Sequence, residues 1–214
     1  MTFLPSFSTV DAGKRAAIKC IAGVSILTGA GALLSACSQA DKPQFNSIDL
    51  TGADYAKDFS LRDQNGKLRS IKDFAGKVTV VFFGFTQCPD VCPASMVELA
   101  QVKKTLGPDG GKLQVLLITV DPERDTPQLL KAYMGNFDPT FLALRPTVEQ
   151  LPQVAKDFKI YYKKVDGQTP GSYTMEHSAG SYVYDPKGNI RLYSRYGSDT
   201  QGLASDLQLL LKSA

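Results

Sequence analysis

Two cysteines, Cys88 and Cys92, are separated by three residues and follow an apolar run at residues 78–85. The run is short and rich in β-branched and aromatic residues, which predicts a fully buried strand. Residues 91–106 are predicted to form a helix, so the cysteines lie where a strand ends and a helix begins. Because the amides at a helix N-terminus favour thiolate over thiol, this placement is typical of cysteines that act as nucleophiles or metal ligands.

The spacing of Cys88 and Cys92 leaves two kinds of chemistry open. Residues i and i+4 of a helical turn lie on one face, so both sulfurs can point at one ion. They can also close a disulfide if their Cα atoms come within about 7 Å. Soft thiolates select Cu(I) or Zn(II). A disulfide that only staples the loop is the alternative, and it would stabilise little because the gain from loop closure grows with loop length.

His177 is the only histidine of the chain and lies just before the last predicted hairpin. In a thioredoxin-like arrangement this segment is a loop that faces the cysteine pair. Thioredoxins usually place a cis-proline there, but no proline occurs between Pro170 and Pro186. A neutral imidazole with two thiolates makes a three-coordinate site that suits Cu(I) and can also hold Cu(II). Glu176 is a candidate to orient the imidazole. The alternative for His177 is a packed or solvated loop histidine without a role, and the alternative for Glu176 is a solvated loop carboxylate.

Residues 1–36 have the pattern of a signal peptide. Three basic residues precede an uncharged, largely apolar stretch of 14 residues at 21–34, which is short for a membrane-spanning helix. The stretch ends in Leu-Ser-Ala-Cys, which resembles the bacterial lipoprotein box, in which the signal is cut before a cysteine that is then lipidated. Cys37 is therefore the predicted lipidation site. A plain signal peptide or an uncleaved anchor is the alternative.

This N-terminal pattern predicts a lipid-anchored protein of the bacterial cell envelope, on the periplasmic or extracytoplasmic face. Residues 37–54 are polar without a helical or strand period and are predicted to form a flexible tether. Cys20 would be discarded with the signal peptide, so only the pair at 88 and 92 would remain in the folded domain at 55–214. The whole chain is 43% hydrophobic with a net charge of +3, which suits one globular domain and does not support nucleic-acid binding.

The rest of the chain alternates between strand and helix patterns. The predicted elements are a hairpin at 59–71, a helical turn at 71–74, strands at 78–85, 113–120, 141–144 and 161–165, helices at 91–106, 127–137, 147–158 and 199–212, a loop at 167–173 and a hairpin at 181–196. Thr126 and Thr147 are the predicted caps of two of these helices. The order predicts an α/β, thioredoxin-like fold, with a mixed central sheet flanked by helices and an N-terminal β-hairpin. Ligand sites in such sheets lie beyond the carboxyl ends of the strands, where Cys88 and Asp121 fall.

Two motifs and the late histidine together resemble one known family. Residues 83–93 have the sequence FGFTQCPDVCP, residues 120–127 have the sequence VDPERDTP, and His177 follows. An Asp-Pro-Lys-Gly turn at 185–188 also fits. The combination resembles the Sco/SenC family of copper-binding assembly factors for respiratory oxidases, over roughly residues 55–212.

The resemblance implies that Cys88, Cys92 and His177 are the copper ligands, and that the two cysteines form a disulfide when oxidised. It implies the CuA-bearing subunit of cytochrome c oxidase, or another respiratory oxidase, as a partner, together with other copper chaperones. The implied role is a metallochaperone rather than an enzyme with turnover. The chain departs from the family at Gln87, where many members have histidine, and at Glu176, where aspartate is frequent.

Four carboxylates near the motifs are candidates for contacts around the site or with a partner: Asp90, Asp121, Asp125 and Glu176. The pair at 121 and 125 forms an Asp-x-x-x-Asp motif that the family has been proposed to use in partner or copper handling. Capping of the loop and of the next helix is the alternative explanation for this pair.

The same cysteines support two other functions. In a thiol–disulfide oxidoreductase one of them attacks a partner disulfide and the other resolves the mixed disulfide, and His177 is dispensable. A peroxidase of the peroxiredoxin class fits less well, because Thr86 and Cys88 are one residue closer than in its Thr-x-x-Cys motif and its preceding proline is absent.

Overall fold

The computed structural model describes residues 43–213. Within this range the strands are β1 (Ile48–Asp49), β2 (Leu61–Asp63), β3 (Leu68–Arg69), β4 (Val78–Gly84), β5 (Leu113–Thr119), β6 (Leu142–Arg145), β7 (Tyr162–Asp166), β8 (Tyr173–His177), β9 (Ser181–Tyr184) and β10 (Ile190–Ser194). The α-helices are α1 (Val91–Thr105), α2 (Pro127–Gly135), α3 (Leu151–Phe158) and α4 (Thr200–Lys212), and two 3₁₀ turns lie at Ile71–Phe74 and Gly107–Lys112.

Eight of the described strands form one mixed sheet, in the order β1-β10-β9-β4-β5-β6-β2-β3. The central strands β4, β5 and β6 are parallel, and β9 runs antiparallel to β4. Every residue of β4 and β5 is buried, because these apolar runs are covered on both faces of the sheet. The sheet confirms the predicted mixed α/β architecture and sets the ends of β4 and β5 side by side.

Caps explain where the helices around the site begin. The predicted cap of α2 is confirmed, because the Thr126 hydroxyl accepts a hydrogen bond from the amide of Leu129 at 3.2 Å. The third helix starts at Leu151, later than predicted. Thr147 and Gln150 instead form a turn in which each side chain accepts a hydrogen bond from the other's amide, at 2.9 and 3.2 Å. Those bonds satisfy the amides before the helix begins.

The segment that carries His177 is a strand and not the predicted loop. His177 is the last residue of β8, which pairs antiparallel with β7 in a separate two-stranded sheet. Side chains alternate along β8, so Tyr173, Met175 and His177 are half-buried while Thr174 and Glu176 are exposed. The sequence analysis overlooked this strand because five residues with mixed polar and apolar side chains carry only a weak period-two signal.

Part of the predicted tether belongs to the folded domain. Ile48–Asp49 pairs with β10 at the edge of the large sheet. Just before it, the fully buried carboxylate of Asp206 accepts hydrogen bonds from the amides of Asn46 and Ser47, both at 2.8 Å. A two-residue strand shows no periodicity, and its acceptor lies 160 residues away, so composition alone could not reveal either contact.

The predicted signal peptide and the predicted lipidation site, Cys37, lie outside the described residues, as does the start of the predicted tether. Among the residues that the structure does describe, no helix is long and apolar enough to cross a membrane.

Candidate metal centre

The loop that follows β4 positions the cysteine pair. Its turn is closed by the amide of Cys88, which donates to the carbonyl of Phe85 at 3.3 Å. Cys92 is the second residue of α1 and is fully buried, whereas Cys88 is partly exposed. The amide of Cys92 donates to the sulfur of Cys88 at 3.4 Å. One sulfur therefore lies at the helix start, near solvent, and the other lies inside.

Gly84, the last residue of β4, makes room for the buried sulfur. A Cβ atom at this position would lie 2.9 Å from the sulfur of Cys92, 2.7 Å from Cε1 of Phe82 and 3.1 Å from Cδ1 of Leu117. All three neighbours are fully buried. A side chain here would therefore displace the thiol or one of the core side chains beneath it.

His177 reaches the cysteine pair from β8. Its Nε2 lies 3.5 Å from the sulfur of Cys92, and the donor atoms of Cys88, Cys92 and His177 all lie within 4.8 Å of one another. Nδ1 donates to the carbonyl of Ser178 at 2.9 Å. Because a carbonyl only accepts, this bond places the ring proton on Nδ1 and leaves the lone pair of Nε2 directed at the sulfur.

Two aromatic side chains, Phe82 of β4 and Phe85 directly after it, pack against the imidazole. The rings of Phe82 and Phe85 meet it edge-on, with centroids 6.2 and 5.8 Å from its centroid. Burial lowers the pKa of His177 below its ordinary value, although the hydrogen bond to Ser178 opposes the shift. The ring is therefore neutral at pH 7 and free to donate its Nε2 lone pair.

We predicted that the helix start favours the thiolate of Cys92, but the structure shows the opposite for this residue. Burial, followed by the hydrogen bond with Cys88, raises the pKa of Cys92 far above the ordinary value of a thiol. Desolvation of the charged form outweighs the helix amides for this sulfur. In the metal-free protein Cys92 is a neutral thiol whose proton can be shared with Nε2 of His177. A soft cation that replaces this proton would gain two sulfur donors and one nitrogen donor.

Asp125 fixes the start of the cysteine loop. Its fully buried carboxylate accepts hydrogen bonds from the hydroxyls of Thr86 and Thr119, both at 2.5 Å, and from the amide of Thr86 at 3.2 Å. Burial raises its pKa, and these hydrogen bonds oppose the shift. Asp125 thus ties Thr86, in the cysteine loop, to Thr119 at the end of β5, and the helix-cap role belongs to its neighbour Thr126.

The other three carboxylate candidates lie in different settings. Asp121 is buried and accepts a hydrogen bond from the hydroxyl of Tyr173 at 2.9 Å. Asp90 is exposed directly before α1, and its side chain makes no capping hydrogen bond. Glu176 is exposed on the face of β8 opposite the imidazole, and it accepts from the Tyr161 hydroxyl at 3.4 Å. The suggestion that Glu176 orients the imidazole is wrong, because the Nδ1 partner is the backbone carbonyl of Ser178.

Sequence reasoning overlooked several residues that shape the site, namely Gly84, Arg124, Tyr173 and Ser178. A glycine at the end of a continuous apolar strand, four residues before a cysteine, was an available signal for close approach of another group. Arg124 and Tyr173 act through contacts across the fold, and Ser178 acts through its backbone carbonyl, so none of the three leaves a side-chain pattern in the sequence.

The three donor atoms fit a soft metal ion, and they also fit dithiol chemistry. Two sulfurs and one imidazole nitrogen within 4.8 Å of one another can converge on one ion with small shifts. This donor set suits Cu(I), Cu(II) or Zn(II). Both cysteines are free thiols in this structure, and the disulfide between them stays a prediction.

Comparison with known proteins gives consistent matches over the described domain. The sequence model of the SCO1/SenC family matches residues 49–212. A SCO2-like protein of Rickettsia felis is 34% identical over 176 residues, which cover 80% of this chain and 86% of that protein.

Two solved structures extend the comparison. The structure of Bradyrhizobium japonicum ScoI with copper bound is 38% identical, with a TM-score of 0.65, and the match covers 72% of this chain and 97% of that one. A SCO1/SenC family lipoprotein of Bacillus anthracis is 26% identical, with a TM-score of 0.62, and the match covers 72% of this chain and 92% of that one. These likenesses confirm the thioredoxin-like fold.

Proposed function

The chain belongs to the SCO1/SenC family, and we propose from this premise that it is a copper metallochaperone that assists assembly of the CuA centre of a respiratory cytochrome c oxidase. Cys88, Cys92 and His177 would hold the copper ion. The observation that carries the proposal is the convergence of these three donor atoms, within 4.8 Å of one another, from segments up to 89 residues apart in the sequence.

Capture of Cu(I) is an exchange of protons for metal. Each thiol that binds as thiolate releases one proton, and the neutral imidazole binds through Nε2 without losing one. The partly exposed Cys88 would meet the incoming ion first, because the sulfur of Cys92 is fully buried. The hydrogen bond from Nδ1 to Ser178 keeps the ring in the required tautomer. Release would follow when thiolates of the partner replace these donors, with Cys88 again the accessible exchange point.

Copper titration tests the proposal. Purified domain is reduced, and Cu(I) is added in the presence of a competing chelator such as bicinchoninate. The wild type is expected to take up one copper per domain. His177→Ala is expected to lose this stoichiometric binding under competition, while still holding Cu(I) through two sulfurs when no competitor is present. Glu176→Gln is the matched control, since it lies next to the imidazole but on the exposed face of β8. A wild type without stoichiometric copper would refute the proposal.

We further propose that Cys37 carries a lipid that holds the domain at the outer face of a bacterial membrane. The Leu-Ser-Ala-Cys sequence supports this, and so does the likeness to a family member described as a lipoprotein. Asn46 is fixed to the domain by its hydrogen bond to Asp206. Between Cys37 and Asn46 the chain can span at most about 30 Å when fully extended, so the domain would stay near membrane-bound partners. Mass spectrometry of membrane extracts tests it, because an unmodified Cys37 in the mature protein would contradict the anchor.

A thiol–disulfide oxidoreductase is the second candidate function. The unequal exposure of the two cysteines favours it, since Cys88 can attack a partner disulfide and the buried Cys92 can then resolve the mixed disulfide. The partner leaves with two thiols and gains two electrons, and this chain ends with a disulfide. His177 should be dispensable for that reaction. Full reduction of a partner disulfide by His177→Ala, with no copper binding by the wild type, would favour this candidate.

A further inference from the structure

Arg124 joins three segments that meet at the site. Its Nε pairs with the carboxylate of Asp121, two residues after β5. Its Nη1 donates to Oε1 of Gln87 in the cysteine loop at 3.0 Å and to the backbone carbonyl of Tyr173 in β8 at 2.9 Å. One guanidinium therefore connects the large sheet, the cysteine loop and the small sheet.

Two of these contacts lie close to the metal-ligand candidates along the chain. Gln87 directly precedes Cys88, and Tyr173 begins the five-residue strand that ends at His177. Among residues 43–213, no ladder of hydrogen bonds joins the small sheet to the large sheet. Besides β7 and the chain on either side, contacts of side chains hold β8 in place, and the hydrogen bonds of Arg124 link it directly to the cysteine loop.

The Tyr173 side chain is held by the same group of residues. The guanidinium of Arg124 lies 3.6 Å from the centroid of its ring, and Nζ of Lys164 lies 3.9 Å from it. Its hydroxyl donates to Asp121 at 2.9 Å, with Glu123 at 3.4 Å as a second acceptor. The ring is thus fixed both at its face and at its hydroxyl, which makes the start of β8 a well-defined anchor point.

One nitrogen of the Arg124 guanidinium takes part in none of these bonds. This nitrogen, Nη2, is buried and has no hydrogen-bond partner among the described residues. Burying a donor without an acceptor is costly, and native structures rarely keep such groups without a reason. Both hydrogen bonds of Nη1 go to segments that carry metal-ligand candidates, the cysteine loop and β8, which points to a role in setting the geometry of the site.

We propose that Arg124 is a positioning residue, which fastens β8 to the cysteine loop and thereby sets the distance between His177 and the two sulfurs. The proposal rests on the copper-binding function proposed above. When this fastening is removed, β8 stays attached through β7 and through the chain on either side. Its imidazole then spends less time within bonding distance of the metal, and copper leaves faster.

Arg124→Gln tests the proposal, with Arg191→Gln as the matched control. Arg191 lies on β10, its side chain is 20% exposed, and it pairs with Asp185 in the turn between β9 and β10, whereas the side chain of Arg124 is 21% exposed. Hydrogen exchange of the metal-free proteins comes first. Amides of β8 in Arg124→Gln are expected to exchange at least tenfold faster than in the control, while amides of β4 and β5 exchange equally in both. Equal exchange of β8 in the two variants would overturn the proposal without any copper measurement.

Copper release gives the second readout. The proteins are loaded with Cu(I) without a competitor and mixed with excess bicinchoninate. Arg124→Gln is expected to release copper at least tenfold faster than Arg191→Gln, which corresponds to a difference of about 1.4 kcal/mol in the activation free energy of release. In the His177→Ala background the same substitution is expected to change the rate less than twofold, because Arg124 acts through the imidazole. Equal acceleration with and without the imidazole would refute positioning.

The two tests separate this proposal from the proposed function. If the wild type binds no copper, the function fails, but hydrogen exchange still reports whether Arg124 holds β8. Arg124→Lys adds a check against a purely electrostatic effect. Lysine keeps the charge but lacks the planar fork that reaches two acceptors, so exchange of the β8 amides should resemble that of Arg124→Gln. Wild-type exchange in Arg124→Lys would show that charge alone suffices and would contradict the positioning role.

Discussion

Replacing Gly84 with alanine is expected to disturb the site through one added methyl group. The new Cβ would lie 2.7 Å from Cε1 of Phe82 and 2.9 Å from the sulfur of Cys92, both closer than real Cβ atoms approach other atoms. Gly84 does not have a positive φ, so the substitution causes no backbone strain, and alanine in a strand recovers about 0.5–1 kcal/mol of conformational entropy.

The magnitude follows from how tightly the neighbours are held. Inserting a methyl group into a well-packed core costs about 1–3 kcal/mol, so after the entropic gain we expect a net loss centred on about 1 kcal/mol in the free energy of unfolding. The Cys92 sulfur has to move by a few tenths of an ångström or more if it is the atom that gives way. The affinity for Cu(I) should then fall about tenfold, because the donor no longer lies opposite His177 at the same distance.

Urea unfolding of the metal-free protein and competition for Cu(I) measure the two effects. Gly135→Ala is the matched control, because a Cβ at Gly135 meets nothing within 4 Å and its φ is also ordinary. Adding Gly84→Ala to Cys92→Ala should destabilise less than adding it to the wild type, by about 0.5 kcal/mol or more, since one of the clashing atoms is gone. Stability and copper affinity equal to those of the Gly135 control would refute the steric argument.

Three further predictions follow from the buried groups. The pKa of His177 is lowered from an ordinary value of 6.5, so the unfolded chain binds the proton more readily and the metal-free protein should lose stability as the pH falls below about 6.5. Between pH 7 and pH 5, urea unfolding should show a smaller loss of stability for His177→Ala than for the wild type. An equal loss in both would contradict the lowered pKa of His177. Asp125→Ala should lower the free energy of unfolding by about 2–4 kcal/mol, because it leaves buried hydrogen-bond donors unpaired, whereas the exposed Asp90→Ala should stay within about 0.5 kcal/mol of the wild type. Asp206→Ala should release the chain at Asn46, so limited proteolysis should cut near residue 46 at least tenfold faster, and an unchanged cleavage rate would show that β1 holds this segment without the carboxylate.

The sequence alone was sufficient for the features that depend on local spacing. The Cys-x-x-x-Cys motif after a buried strand, the helix that follows it, and the strands at 78–85 and 113–120 were all predicted from residue patterns. The caps supported the same order of elements, as at Thr126. These features are determined locally, because hydrophobic periodicity and capping act over a few residues. The cysteine motif at 83–93, the motif at 120–127 and the late histidine together were sufficient to indicate the family.

Only the tertiary structure decided how the three ligand candidates are held. His177 lies at the end of a strand, its Nδ1 bonds to Ser178 and not to Glu176, and the pKa of Cys92 is raised. Arg124 bridges elements far apart in the sequence. These features depend on burial, on backbone carbonyls and on hydrogen bonds between distant segments, which change the free energy of a charge or a side-chain position without leaving a local sequence pattern. The chain thus encodes its donor atoms locally, whereas their protonation and orientation arise from the packing of the whole domain.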